Sequence, residues 1–260
     1  MSGAVASPVI DAARNALGPV GVCLPVSFTS NPPADSLREA ARRLEGAGCR
    51  AVWTNEVIGK DALVQLATLL SATGSMAFGT CIANIWARPA QTMHAAAAQL
   101  AQAYPGRFVL GLGVGYPEQA ASVGQEFGRP LATMREYVNR MDSPTWPPAP
   151  DAPYPRIIAA NGPKMLELAG DIADGALPAM LPAAFTAHAR QTLGPDKLLV
   201  VGVSMEGDPI DPTAIAAQVG EQLTAGADHV TLLLPIGSEF TSGIRQLERL
   251  AATLAALPGC

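Results

Sequence analysis

The sequence predicts an α/β fold: a single-domain (β/α)8 TIM barrel over residues 19–260, preceded by an N-terminal extension, residues 1–18. Three observations carry this expectation. Eight short apolar, β-rich runs alternate with segments whose apolar residues recur at helical spacing. A length of 260 residues with 49% hydrophobic content is enough for one large core. The residue types that carry chemistry stand directly after the apolar runs, where a barrel places its ligand-facing loops. A doubly wound open sheet shares the alternation and is the alternative.

In order, the first run is GVCLPV (residues 21–26), and Leu37, Ala41, Leu44 and Ala47 then form a helical stripe before AVWTNE (51–56). The third run, MAFGTCIANI (76–85), leads to a helix marked by Met93, Ala97, Leu100 and Tyr104, and the fourth is RFVLGLGV (107–114). A helix spans about Leu131 to Met141. The six prolines of DSPTWPPAPDAPYP then forbid a helix and predict an extended surface connection. RIIAA precedes the stripe Met165, Leu168, Ile172, and GALPAM precedes a helix near Ala183 to Leu193. LLVVGVS is followed by Ile215, Val219 and Leu223, and HVTLLLP by Ile244, Leu247, Leu250 and Leu254. Each strand is followed by a helix, which is the arithmetic of the barrel.

A net charge of -5 without a local Lys/Arg cluster argues against nucleic acid as a partner. Cys23, Cys49, Cys81 and Cys260 lack metal-ligand spacing and read as buried or free thiols, so neither disulfides nor a metal are expected. With no basic leader and no apolar run of membrane-spanning length, the expected location is cytoplasmic and no membrane is a partner.

The strand-end residues are Thr54-Asn55-Glu56, Ala83-Asn84-Ile85-Trp86, Gly113-Val114-Gly115-Tyr116, Asn161-Gly162-Pro163-Lys164 and Met180. Gly111, Gly113 and Gly115 alternate, whereas a dinucleotide fingerprint needs G-x-G-x-x-G after a first strand, and Tyr116 stands where its third glycine belongs. Their alternate reading is clearance inside a barrel, for a side chain or a flat ring. AANGPK (159–164) ends a strand at a helix start with Pro163 at its first position. It reads either as an anion site with Lys164 adding a cation, or as a plain cap.

PGRFVLGLGVG, IANIWAR, AANGPKMLELAGDIADGALP and TAGADHVTLLLP together resemble the bacterial luciferase-like monooxygenase superfamily, most closely its actinobacterial branch of coenzyme F420-dependent oxidoreductases. The resemblance runs from about Arg38 to Pro235. It implies a (β/α)8 barrel holding a flavin or deazaflavin over the strand ends, a non-prolyl cis peptide at Cys81-Ile82 behind the ring, Asn84 facing the ring or ribityl chain, Gly113 and Gly115 passing close to the cofactor, and Asn161, Gly162, Pro163 and Lys164 near its phosphate. Asn55, at the second strand end, belongs to the same expected cofactor site. The long polyglutamyl tail of the deazaflavin needs a basic groove, for which Lys164 and Arg88 are the candidate cations.

The chain departs from the family pattern in two places. Several deazaflavin-dependent relatives place Asp-His after the second strand, where this sequence has Asn55-Glu56, so Glu56 becomes the candidate acid/base, or else a cap or salt-bridge residue. The helical excursion usual after the seventh strand is largely missing, since LLVVGVSMEGDPIDPTAIAAQV runs almost directly into the next helix. His94, His188 and His229 stand at no strand end and read as structural or exposed. The function implied is F420-dependent hydride transfer to or from a small organic substrate; the alternatives are an FMN-dependent monooxygenase and a non-catalytic cofactor-binding paralogue. Relatives often dimerise, and a homodimer is expected.

Overall fold

The computed structural model describes residues 7–27, 29–57, 59–205 and 211–254, with side chains through residue 251. Cys260 lies outside them. The elements are α1 (Pro8–Leu17), β1 (Val20–Cys23), α2 (Ala34–Gly46), β2 (Ala51–Thr54), α3 (Ala62–Leu70), β3 (Ala77–Thr80), β4 (Ala83–Asn84), α4 (Ala90–Ala103), β5 (Phe108–Gly113) and α5 (Pro117–Ser122). The chain continues with α6 (Pro130–Met141), β6 (Arg156–Ala159), α7 (Pro163–Ile172), β7 (Gly175–Leu177), α8 (Ala183–Leu193), β8 (Leu198–Ser204), α9 (Pro212–Thr224), β9 (His229–Leu233) and α10 (Phe240–Leu254).

Every ladder is parallel, in the order β3-β2-β1-β9-β8-β7-β6-β5-β4, and a further β3–β5 pairing closes the ring. The open-sheet alternative is therefore excluded. The third barrel strand is interrupted by a cis peptide at Cys81-Ile82, and its second half, β4, pairs with β5 through Asn84 and Gly113.

Closure depends on one glycine. A Cβ at Gly111 would lie 2.1 Å from the Thr80 carbonyl oxygen, and backbone there cannot yield. The bare Gly111 lets β3 and β5 approach, and the Thr80 hydroxyl completes the seam by donating to the Gly111 carbonyl at 2.7 Å and accepting from its N–H at 2.8 Å.

Two apolar layers result. Between barrel and helices pack residues such as Leu44, Leu66, Phe78, Met93, Leu110 and Leu166. Inside the barrel lie Cys23, Ala51, Trp53, Ala77, Val109, Ile157, Leu177, Leu198 and Val200. Ile10, Ala13 and Leu17 of α1 join this inner cluster, so the N-terminal extension contributes a helix to the barrel core.

Trp53 is the largest inward side chain, and Gly79 makes room for it: a Cβ there would stand 2.3 Å from the indole. The indole N–H donates to His229 Nε2 at 2.9 Å, and His229 Nδ1 meets the Gly18 carbonyl at 2.7 Å. Burial pushes the imidazole pKa down to about 4, so His229 is a neutral core residue, as its sequence position implied.

Proline placement explains several helix starts: Pro8, Pro117, Pro130, Pro163 and Pro212 each occupy the first turn, where a missing N–H costs nothing. Of the short connection between β8 and α9, residues 206–210 lie outside the described set, so the expected loss of the helical excursion falls partly there; Asp211 caps α9 through the Thr213 N–H.

Candidate active site

Glu56 follows β2 and points into the protein, with its side chain 3% exposed. Oε1 accepts the Ala62 N–H at 3.0 Å, Oε2 accepts the Asn84 N–H at 2.7 Å, and the Arg88 guanidinium spans both oxygens. Arg88 also pairs with Asp61 at 2.8 Å, and Asp61 caps α3 through Leu63 N and Val64 N. Burial opposes the Arg88 charge, but the hydrogen bonds and charges of Glu56 and Asp61 prevail and raise its pKa. One carboxylate thus ties the start of α3 to the strand half beyond the cis peptide. Both of its oxygens are committed, which places Glu56 as a clamp, the salt-bridge role held open in the sequence, and gives the acid/base expectation no free lone pair to work with.

Asn84 is buried, and its Oδ1 accepts the Trp86 N–H at 3.0 Å. Trp86 donates its indole N–H to the Val114 carbonyl at 2.7 Å. A cavity of about 380 Å³ opens here, lined by Glu56, Lys60, Asn84, Trp86, Arg88 and Gln119 among others. Asn55 accepts the Lys60 ammonium at 2.7 Å.

The two remaining glycines of the fourth run serve different neighbours. A Cβ at Gly113 would lie 2.5 Å from Cγ1 and Cδ1 of Ile82, so this glycine houses the side chain that follows the cis bond. Gly115 has φ +60°, and a Cβ there would meet Gln119 Oε1 at 2.2 Å and Asn84 Nδ2 at 3.0 Å. The clearance expected from the sequence is present, and its occupants in this structure are side chains and a carbonyl.

Across the mouth, β6 ends at Ala159 and α7 begins at Pro163, with Gly162 as an N-cap that supplies no side-chain hydrogen bond. Gly162 has an extended backbone, and an added Cβ would meet nothing within 4 Å. Nothing in the fold demands glycine there. The uncapped N–H groups and the exposed Lys164 leave room for an anion, and this fits a phosphate. Asn161 Oδ1 accepts the Ala179 N–H at 2.9 Å and so fixes this loop to the end of β7.

The structure therefore gathers Glu56, Ile82, Asn84, Gly113 and Gly115 in one cluster, sets Asn55 and Cys81 beside it, and places Asn161 to Lys164 on a separate arc. Sequence reasoning took Arg88 as a cation for a basic groove; its side chain is 8% exposed and committed to two carboxylates. It took Cys23 as a buried thiol without a place at the site; the thiol is buried, and it hydrogen-bonds Cys81 and is held well above the ordinary thiol pKa, first by that bond and then by burial. Two of the expected strand-end residues, Tyr116 (71% exposed) and Met180 (67%), stand out into solvent, and with them Ile236 (68%), which the sequence did not single out. Among the described residues, no group of three or more His, Cys, Asp or Glu could hold a metal, and no helix is long and apolar enough to cross a membrane.

The family of luciferase-like monooxygenases matches residues 19–194. A Mycobacterium tuberculosis protein, provisionally named a coenzyme F420-dependent oxidoreductase, is 30% identical over 187 residues, covering 60% of this chain and 54% of that protein. The chain spans about half the length of the curated relatives it matches. An F420-dependent secondary alcohol dehydrogenase, solved with an F420-acetone adduct, superposes with a TM-score of 0.74 at 17% identity, covering 91% of this chain and 99% of that one. The FMN-bound oxygenating constituent of 3,6-diketocamphane monooxygenase from Pseudomonas putida gives 0.70 at 12% identity, covering 94% and 98%. At these identities the superpositions establish the shared barrel fold. The match over more than half of the sequence, on a closed parallel barrel with its polar residues gathered at the strand ends, shows that the chain belongs to the luciferase-like monooxygenase family.

Proposed function

We propose that this protein is an oxidoreductase that binds a deazaflavin of the coenzyme F420 type at the barrel mouth and exchanges a hydride with a small organic substrate. The observation that carries the reading is the α7 start: Gly162 without a structural need for glycine, N–H groups with no side-chain cap, and an exposed Lys164, a combination that suits a phosphate. Asn55, Asn84, Gly113 and Gly115, with Cys81 and Ile82, would shape the ring end of the site. When bound, such a cofactor supplies or takes up the hydride.

The chain's own residues orient and exclude. The Glu56 clamp fixes Asn84 by its backbone, and Gly113 fixes Ile82 by leaving it space. Tyr116, Met180 and Ile236 give the rim an apolar character that suits a substrate with an apolar body.

The test is tryptophan-fluorescence titration with F420 and with FMN. F420 is expected to bind tightly; tight FMN binding with no response to F420 would replace this reading by the FMN-dependent one. Gly162→Asp should weaken binding at least about tenfold by opposing an anion at a helix N-terminus, while Gly162→Ala should bind as wild type. Equal affinity of the two variants at low salt would reduce AANGPK to a plain helix start.

A further inference from the structure

The committed state of Glu56 leaves a question at the mouth: which side chain there can give up a proton? Arg88 stays charged, and Asn55 and Asn84 have none to transfer. The histidines lie elsewhere, with His229 in the barrel core. Lys60 is left. Its backbone N–H is bonded to the Val57 carbonyl at 2.9 Å, which turns the side chain over the strand ends, and its ammonium donates to Asn55 Oδ1 at 2.7 Å.

We infer that Lys60 is the side chain that holds and delivers the proton when a hydride is exchanged at this site, in the position the sequence suggested for Glu56. The inference rests on the hydride-transfer reading above. Lys60 lines the 380 Å³ cavity together with Glu56, Asn84 and Arg88, and also a smaller one beside Leu24, Pro25, Gln65 and Ser238, so it stands between the β2–β4 and β1–β9 sides of the mouth. Among the described residues, no carboxylate lies within ion-pair distance of its ammonium, because Arg88 holds Glu56 and Asp61. Cys23, beside Cys81, lies near the ammonium as a neutral thiol, its pKa held well above the ordinary value.

Cys23 faces Lys60 from β1, Glu56 and Asp61 from the β2–α3 connection, Arg88 from the β4–α4 connection and Cys81 from the end of β3. Ser238 and Phe240 come from the β9–α10 side, where Glu239 is turned to the N–H groups of Thr241 and Ser242. Burial lowers the ammonium pKa, and the charge of Glu56, itself already paired with Arg88, restores part of it. The result is a lysine that yields its proton more readily than one in water.

In carbonyl reduction, a hydride that a bound reduced deazaflavin or flavin would supply adds to the carbonyl carbon and moves the carbon–oxygen π pair onto oxygen; the oxygen takes the proton from the Lys60 ammonium, and an alcohol and a neutral amine result. Solvent reprotonates the amine, and alcohol oxidation runs the same sequence backwards.

The whole chain has three lysines, Lys60, Lys164 and Lys197, so each labelled peptide is assigned unambiguously by mass spectrometry. Competitive labelling with acetic anhydride across pH gives the titration midpoint of each amine in the wild-type protein. Lys60 is expected to titrate below the ordinary lysine value of about 10.4, and a midpoint at or above it would overturn the inference. In the presence of saturating F420 or FMN, with binding verified by fluorescence, labelling of Lys60 is expected to slow at least about fivefold; unchanged labelling under a bound cofactor would remove Lys60 from the reacting end of the site. If neither cofactor binds, the functional reading falls, while the midpoint still decides the state of Lys60.

Discussion

Replacing Glu56 by Gln keeps the shape of the side chain and removes one acceptor and the charge. In the wild type, both oxygens accept: Ala62 N at 3.0 Å, Asn84 N at 2.7 Å, and the Arg88 guanidinium across the pair. The glutamine side chain has one carbonyl oxygen, so one of the two backbone N–H groups loses its partner, and the new amide N–H turns toward Arg88 or that orphaned donor. A buried unsatisfied backbone donor costs about 1–3 kcal/mol, and a buried cation deprived of its partner brings the total to about 3–5 kcal/mol. Arg88 keeps Asp61, which puts the expectation at the lower end, about 3 kcal/mol. For a chain of this length that lowers the melting temperature by roughly 6 °C.

Urea unfolding and thermal melts of the variant measure this directly. A double-mutant cycle with Arg88→Met separates the clamp from general damage: the two changes together should cost clearly less than the sum of each alone, because the second removes the charge that the first left unpaired. Cofactor affinity should fall with stability, since Asn84 loses its backbone anchor. A Glu56→Gln protein within about 1 kcal/mol of wild type, with additive cycle energies, would refute the clamp and return Glu56 to the list of proton-transfer candidates.

The core makes two further tests available. Gly113→Ala places a methyl 2.5 Å from Ile82 and should destabilise by about 1–3 kcal/mol, with Ile82→Ala relieving most of that penalty; additive costs in chemical denaturation would contradict the close approach. His229 is buried neutral with a pKa of about 4 against about 6.5 in the unfolded chain, so protons bind the unfolded state more tightly between those values. Stability held above about pH 6.5 should therefore decline as pH falls toward 4, by about 3 kcal/mol in all, and an imidazole titrating near 6.5 by NMR in the folded protein would refute the assignment.

Much of the fold could be read locally. Apolar spacing located the strands and the major helices because period and polarity are properties of neighbouring residues, and the short stretches between them placed the chemistry at the strand ends. The same reading missed α1, which lacked a barrel strand before it, and α5, whose short span Pro117–Ser122 carries too few turns for a stripe. It also ran the third strand through as one piece, although the resemblance put the cis peptide at Cys81-Ile82, where the structure has it.

The identity of the site's residues was largely legible, and their roles were not. Whether Glu56 is a proton carrier or a clamp depends on Arg88, 32 positions away, and on the N–H of Asn84, which reaches it only because the third barrel strand runs beside β2. What the glycines make room for depends on Thr80 for Gly111, Ile82 for Gly113, and Gln119 with Asn84 for Gly115. Lys60 offered no signal beyond its place in a loop, since its burial and its single partner are set by walls that separate strands contribute. Sequence determined the periodicities and the chemical inventory of the mouth; pairing of distant strands decided which charges are already partnered, and so which remain able to react.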